Sequence, residues 1–351
     1  MIEFRGVTKR FDDGTVAVDA LDLIAAEGQI TVLVGPSGCG KTTSLRMVNR
    51  MVEPSSGTIL VGGQDVRSRA PAQLRRGIGY VIQQAGLFPH RTVVDNIATV
   101  PLLIGATRRA ARARAGELLE LVGLPVELGW RYPAQLSGGQ QQRVGVARAL
   151  AADPPVLLMD EPFSAVDPVV RADLQDQLQR LQGELGKTIL FVTHDIDEAV
   201  KLGDAVAVLR TGGVLAQFDP PQRLLAEPAD DFVAEFVGRD RGYRALSFLP
   251  SGDLPVHSLD TVRGEGGAAR TWLLSVDSDG RPRGWRAPGD SDGPLRAGGS
   301  LHRQGGPMRT ALDAALSSPA GVGVVVDGDG AAVGGVRAED VLAAWRRQRG
   351  G

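Results

Sequence analysis

The stretch that most constrains this chain is Gly35-Pro36-Ser37-Gly38-Cys39-Gly40-Lys41-Thr42, set between the apolar run Ile30 to Val34 and a helically patterned segment that continues from Thr43. A G-x-x-x-x-G-K-[ST] pattern between a strand and a helix makes a cradle for phosphate. Its glycines let backbone N–H groups turn inward, and the helix start presents roughly half a positive charge. Lys41 adds a full charge against the β and γ phosphates, and the Thr42 hydroxyl suits Mg²⁺. Alone, the same residues could be a glycine-rich turn with no ligand. Lysine usage argues against that, because the chain has only Lys9, Lys41, Lys187 and Lys201 while arginine carries every other basic position.

A second apolar run, Val156 to Met159, ends in Asp160-Glu161-Pro162. Two carboxylates at the carboxyl edge of a buried strand lie where ligands bind in such sheets. Asp160 suits the Mg²⁺ position, and Glu161 suits a base that takes a proton from the water attacking the γ-phosphate. A strand capped by solvated acids is the plainer alternative, and the upstream phosphate loop disfavours it. His194, after the run TILFVT, stands at another strand end from which a side chain can reach a phosphate.

Residues 1–237 alternate strand runs (ITVLVG, IGYVI, VLLMD, TILFVT, AVAVLR) with helical patterns, which predicts a mostly parallel α/β sheet. From about residue 238 lysine disappears and Gly- and Pro-rich runs such as GEGGAAR and RAPGDSDGPLRAGGS read as loops or linkers, predicting a second domain over 238–351. No stretch approaches the roughly 20 apolar residues of a membrane span, and MIEFRGVTKRF lacks the apolar core of a signal peptide. A cytoplasmic location follows as an expectation. Cys39, the single cysteine, excludes an internal disulfide and a multi-thiolate metal site. A net charge of -2, with a nearly neutral tail, gives no basis for nucleic-acid binding.

Leu136-Ser137-Gly138-Gly139-Gln140, followed by QQRVGVARAL, resembles the signature sequence of ABC-transporter ATPases. Its chemistry fits a second anion site, since Ser137 and the glycines open a helix with exposed N–H groups. The resemblance covers residues 1–237 and implies further assignments. Gln83 matches the Q-loop glutamine, which also approaches the metal; Ser164-Ala165-Val166-Asp167 matches the D-loop; His194 matches the switch histidine; and Phe11 matches the aromatic that stacks on adenine. It implies Glu161, His194 and Gln83 as catalytic residues and Thr42, Gln83 and Asp160 around Mg²⁺. ATP would bind Phe11, Gly35 to Thr43, Ser137, Gly138, Gly139, Gln140 and Asp167. Two chains would sandwich two ATP molecules head to tail, each signature loop completing the partner's site.

Longer phrases, among them IGYVIQQAGLFPHRTVVDNIATVP and THDIDEAVKLGD, look like the ATPases of glycine betaine, carnitine, choline or proline importers. That likeness implies an integral membrane permease, an extracytoplasmic solute-binding protein, and a place on the cytoplasmic face of the membrane. The segment Leu87-Phe88-Pro89-His90 is where the family docks a permease. Ser164 departs from the glycine usual in this subfamily. Competing readings are an importer of a polyamine or inorganic anion, a soluble ABC ATPase of translation or repair, and a nucleotide sensor without turnover.

In the tail, residues 307–346 read as helix, strand VGVVVD, turn DGDG, strand AAVGGV and a helix from Ala338, which looks like a CBS module. The stretch WLLSVDSDGRPRGW reads as a degenerate first copy. In that family an acidic residue at the last helix start holds a ribose, a place matched by Asp340, whereas Arg337 stands where a small hydroxyl residue is usual. A packing or dimerising domain without ligand is the alternative.

Overall fold

The computed structural model describes residues 1–83, 85–164, 166–263, 271–290 and 294–349, with the side chains of Val169 and Arg349 also outside the description. Gln84, Ala165, the run GEGGAAR and part of RAPGDSDGPLRAGGS lie outside the described residues. The chain divides into two compact units, Met1–Val237 and Gly238–Gly351.

The first unit holds two sheets. Strands β1 (Ile2–Arg10), β2 (Val16–Ala25), β4 (Ser56–Val61) and β5 (Gln64–Asp65) form an antiparallel sheet in the order β2-β1-β4-β5. The second sheet has the order β10-β9-β3-β8-β7-β6, from β3 (Ile30–Val34), β6 (Ile78–Val81), β7 (Val156–Asp160), β8 (Thr188–Val192), β9 (Ala205–Arg210) and β10 (Val214–Asp219). All its pairings are parallel except that of β9 with β10. Every residue of β3, β7 and β8 is buried, which is why their sequences run apolar without alternation. The parallel sheet agrees with the sequence expectation; the separate antiparallel sheet is an addition to it. Strand β2 carries the sign of that sheet, since its buried and exposed residues largely alternate as in a strand with one solvated face.

Helix α1 (Lys41–Val48) packs between the sheets, and its Leu45, Met47 and Val48 join Phe4, Ile59, Leu33, Leu158 and Leu190 in one core. Each such fully buried side chain contributes about 1.5–3 kcal/mol. Helix α2 (Pro71–Arg76) precedes β6, and between β6 and β7 lies a helical segment of α3 (Val93–Ile97), α4 (Thr99–Leu103), α5 (Arg108–Leu121) and α6 (Gly138–Leu150). Buried Asn96 anchors the loop before α3, accepting from Phe88 N and donating to the carbonyls of Phe88, Arg91 and Thr92. Helices α7 (Pro168–Leu185), α8 (Ile196–Leu202), α9 (Pro221–Ala226) and α10 (Asp231–Phe236) complete the unit.

The second unit begins with α11 (Arg241–Ala245) and contains two three-stranded sheets of the same design. In one, β11 (Thr261–Arg263) pairs parallel with β12 (Leu273–Val276), which pairs antiparallel with β13 (Pro282–Arg286). In the other, β14 (His302–Arg303) pairs parallel with β15 (Val322–Val326), which pairs antiparallel with β16 (Ala332–Arg337). The connecting turns match: Asp277 Oδ1 accepts from the N–H groups of Asp279 and Arg281, and Asp327 Oδ1 accepts from those of Asp329 and Ala331. Leu274, Val276 and Trp285 of one hairpin share a core with Val324 and Val326 of the other. Only the second copy carries described helices, α12 (Met308–Ser317) within it and α13 (Ala338–Arg349) after it.

Candidate functional site

The carboxyl ends of β3, β7 and β8 lie side by side, and each carries one part of the site. From β3 the chain enters the loop 35–40, where Gly35 has φ +153° and Gly40 φ +89°. A Cβ at Gly35 would lie 2.3 Å from Leu209 O, and one at Gly40 would lie 2.0 Å from Ala17 O. Neither position has room for a side chain, so the glycines are demanded by close backbone approach as well as by φ. Lys41 opens α1 and is only 6% exposed, its Nζ donating to Gly35 O at 2.7 Å and Pro36 O at 3.0 Å. The ammonium is thus folded onto the loop carbonyls, in the place from which it can turn to an incoming phosphate.

Cys39 is buried in the same loop with its Sγ 3.7 Å from Lys41 Nζ. Burial pushes its thiol pKa up, outweighing the lowering by the Lys41 charge, so the sulfur stays protonated and unreactive.

Thr42 Oγ1 donates to Asp160 Oδ1 at 2.8 Å, joining the first turn of α1 to the end of β7. The next residue, Glu161, has φ +46°, a conformation few side chains adopt, and its N–H donates to Val192 O on β8. Held this way, its carboxylate turns toward the following loop, where Oε2 lies 3.1 Å from His194 Nδ1. Thr42 with Asp160, and Glu161 with His194, are therefore two touching pairs at adjacent strand ends.

Thr42 and Asp160 offer one hydroxyl and one carboxylate, hard oxygen donors of the kind Mg²⁺ takes when phosphate oxygens and water fill its remaining positions. Among the described residues there is no group of three His, Cys, Asp or Glu side chains that would hold a metal without a ligand's help. The donor set fits a metal that arrives with phosphate.

The remaining sequence-derived residues stand apart from this cluster. Gln83 is exposed in the turn after β6, and no side-chain hydrogen bond joins it to Thr42, Asp160 or Glu161 among the described residues. Ser137 caps α6: its Oγ accepts from Gln140 N, and Gln140 Oε1 accepts from Ser137 N, a reciprocal capping box. Gly138, exposed, and Gly139, half-buried, follow in the first turn, and no hydrogen bond among the described residues joins any of the four to the loop 35–42. Phe11 is 40% exposed, with Lys9 Nζ 5.0 Å over its ring. Asp167 is exposed just before α7, and its carbonyl accepts from Arg171 N.

Two residues went unnoticed in the sequence. Tyr80 at the end of β6 brings its hydroxyl 3.5 Å from Asp160 Oδ2, and burial, with the Asp160 charge adding to it, pushes the phenol pKa up. Arg148 on α6 is half-buried and donates to the carbonyls of Ala85 and Gly86 at 2.6 Å, pinning the loop after Gln83. Only the position of Tyr80 beside the acidic strand, read through the sheet order, could have signalled the first.

The ABC transporter family profile matches residues 18–164. The chain is 52% identical over 254 residues to the glycine betaine uptake system ATP-binding protein of Escherichia coli (strain K12), covering 72% of this chain and 82% of that protein. The chain belongs to the ATP-binding subunits of ABC transporters. Within this family it is also 50% identical over 241 residues to the glycine betaine/carnitine/choline transport ATP-binding protein of Bacillus subtilis (strain 168), covering 69% of this chain. That match spans 63% of the Bacillus protein, and a match to the carnitine transport ATP-binding protein of Listeria monocytogenes spans 60%. Among solved structures, a dimeric ATP-binding cassette in a post-hydrolysis state with ADP and phosphate aligns at TM-score 0.58 and 32% identity, covering 63% of this chain and 99% of the other. As an ABC ATP-binding subunit, the chain has the P-loop fold that the loop 35–42 led us to expect.

Proposed function

We propose that this chain hydrolyses ATP to energise import of a compatible solute, a quaternary amine such as glycine betaine, choline or carnitine, through a separate membrane permease. The observation that carries the reading is the pairing of Glu161 with His194 beside Thr42 and Asp160, four side chains from three strand ends around one phosphate loop. Gly35 to Thr43 bind the phosphates through backbone N–H groups and Lys41, and Phe11 stacks on the adenine. Thr42 and Asp160, together with Gln83 of the Q-loop, would hold Mg²⁺, which when bound would neutralise charge on the phosphate oxygens. Glu161 accepts a proton from the attacking water, and His194 orients Glu161 and the γ-phosphate. Ser137 to Gln140 and Asp167 serve the site of a second copy in a head-to-tail dimer.

No helix among the described residues is long and apolar enough to cross a membrane. In this reading the permease makes the contact with the bilayer and the chain sits at its cytoplasmic face. Phe88 is exposed, stacked under Arg91, and a cleft lined by Arg91, Asp95, Leu102, Arg108 and Arg112 opens alongside. We assign the permease contact to this surface. An extracytoplasmic solute-binding protein completes the complex. The second unit is proposed as a regulatory CBS-like pair whose first copy is degenerate in sequence.

A second reading concerns the solute alone. The chain is also 46% identical over 237 residues to the Fe(3+) ions import ATP-binding protein of Rhizobium meliloti (strain 1021), and substrate choice in such systems resides in other subunits. The test is uptake of radiolabelled glycine betaine, with choline, carnitine, proline and a polyamine as competitors, in cells carrying the chain and its permease. Uptake lost in Glu161→Gln supports the assignment. ATP turnover with no uptake of any amine removes the solute and keeps the ATPase.

A further inference from the structure

Behind His194 lies a set of buried polar side chains that the proposed reaction does not use. Thr193, which joins β8 to His194, is buried, and its Oγ1 donates to Glu198 Oε2 at 2.7 Å while accepting from Asp195 N at 3.0 Å. Glu198 itself is 5% exposed on α8. Its other oxygen accepts from Gln175 Nε2 at 3.3 Å and lies 4.0 Å from Arg171 Nε, both side chains one turn apart on α7. Arg171 donates through Nη2 to Val166 O at 3.2 Å, and its backbone N–H donates to Asp167 O at 2.8 Å.

These contacts form one path. It begins at the carbonyls of Val166 and Asp167, runs through Arg171 to Glu198 by a 4.0 Å approach of opposite charges, and ends at Thr193, the residue before His194, whose hydroxyl accepts from the N–H of Asp195, the residue after it. We propose that Glu198 is a positioning residue, held between Arg171, Gln175 and Thr193, that ties the aim of His194 toward Glu161 to the place of the turn ending at Asp167. The catalytic consequence rests on the ATPase reading above; the structural link does not.

Chemistry favours a specific role over packing. Burying a carboxylate is costly unless hydrogen bonds and a countercharge compensate, and a Leu or Met would fill the same space between α7 and α8 without that cost. Burial pushes the Glu198 carboxyl pKa up and the Asp195 charge adds to that, while the Thr193 hydrogen bond, Arg171 and Gln175 pull it down. Its charge is therefore tied to whether these partners stay in place. A displacement of the Val166–Asp167 turn, as when a second copy docks against it, moves Arg171 and with it the group that orients Thr193.

The test uses the full chain. It contains four histidines, His90, His194, His257 and His302, so ring ¹⁵N resonances can be assigned by single substitutions. In Glu198→Ala we expect the His194 ring resonances to move while those of His90, His257 and His302 stay. Turnover should fall about ten- to a hundredfold at an ATP KM within about twofold of wild type, the cost of misplacing a catalytic group by ~1 Å. In a His194→Ala background the same substitution should cost less than about twofold, because the two residues act as one unit. Unmoved His194 resonances, or losses that multiply in the double variant, overturn the proposal. If Glu198→Ala does not fold, Glu198→Gln keeps the size, places an amide against Gln175, and carries the same expectations. A wild-type chain with no turnover defeats the ATPase reading, while the resonance comparison still decides the role of Glu198.

Discussion

Thr42 Oγ1 and Asp160 Oδ1 are hydrogen-bonded at 2.8 Å although 118 residues separate them in the chain. The contact fixes the start of α1 against the end of β7, so the phosphate loop and the acidic strand form a single rigid floor.

Removing the charge of Lys41 tests that floor from the phosphate side. Lys41→Ala should lower ATP affinity by at least about 2 kcal/mol, as expected for a charged group that meets its ligand directly. The fold should survive, since only two loop carbonyls lose a donor. Titration calorimetry with ATP, alongside circular dichroism, checks both halves.

Glu161→Gln keeps the shape of the carboxylate and removes its basicity. We expect turnover to drop by about 10²–10⁴-fold, the usual contribution of a general base, with ATP affinity retained. Size-exclusion chromatography with ATP should then show an accumulated dimer. Wild-type-like turnover would take the base role from Glu161.

The glycine at position 40 is held by φ +89° and by the approach of Ala17 O. Gly40→Ala should cost ~2–4 kcal/mol of stability in the first unit, through strain at a left-handed position plus a steric clash. Denaturant unfolding followed by hydrogen exchange in each unit reads this out, with the second unit unchanged.

His302 in the second unit is buried between Ser251 Oγ and Thr310 Oγ1, each at 2.8 Å, and burial lowers its pKa. The unfolded chain therefore binds the proton more readily. Stability from this group is complete above the ordinary histidine value of about 6.5 and is lost as pH falls through it toward the lowered one. Hydrogen exchange of second-unit peptides between pH 7.5 and 5 should show that loss, and His302→Gln should flatten it.

Much of the floor under the loop 35–42 was legible in the sequence because its parts sit at the ends of apolar strands, and a run such as Val156 to Met159 announces both the strand and the place of Asp160 and Glu161. Tyr80 and Arg148 were not legible, since their partners are set by sheet order and by a loop 62 residues away. The antiparallel sheet was missed for a related reason: β1 pairs with β4 across some fifty residues, and its irregular register blurs the alternation that identifies such strands. Nothing in the local sequence told that Glu198 would be buried, because α8 is short and the side chains that cover it come from α7 and from Thr193 after β8.

The matched hairpins of the second unit have one further consequence. Trp285 of the first copy is buried against Val324 and Val326 of the second, while the second has α12 and α13 to cover it. Among the described residues the two halves are thus unequal: one brings its own roof and the other shelters under its neighbour. A chain cut before β14 would leave Trp285 in water, so the first hairpin should persist only as a tenant of the second, and a signal that loosens the second copy would release both.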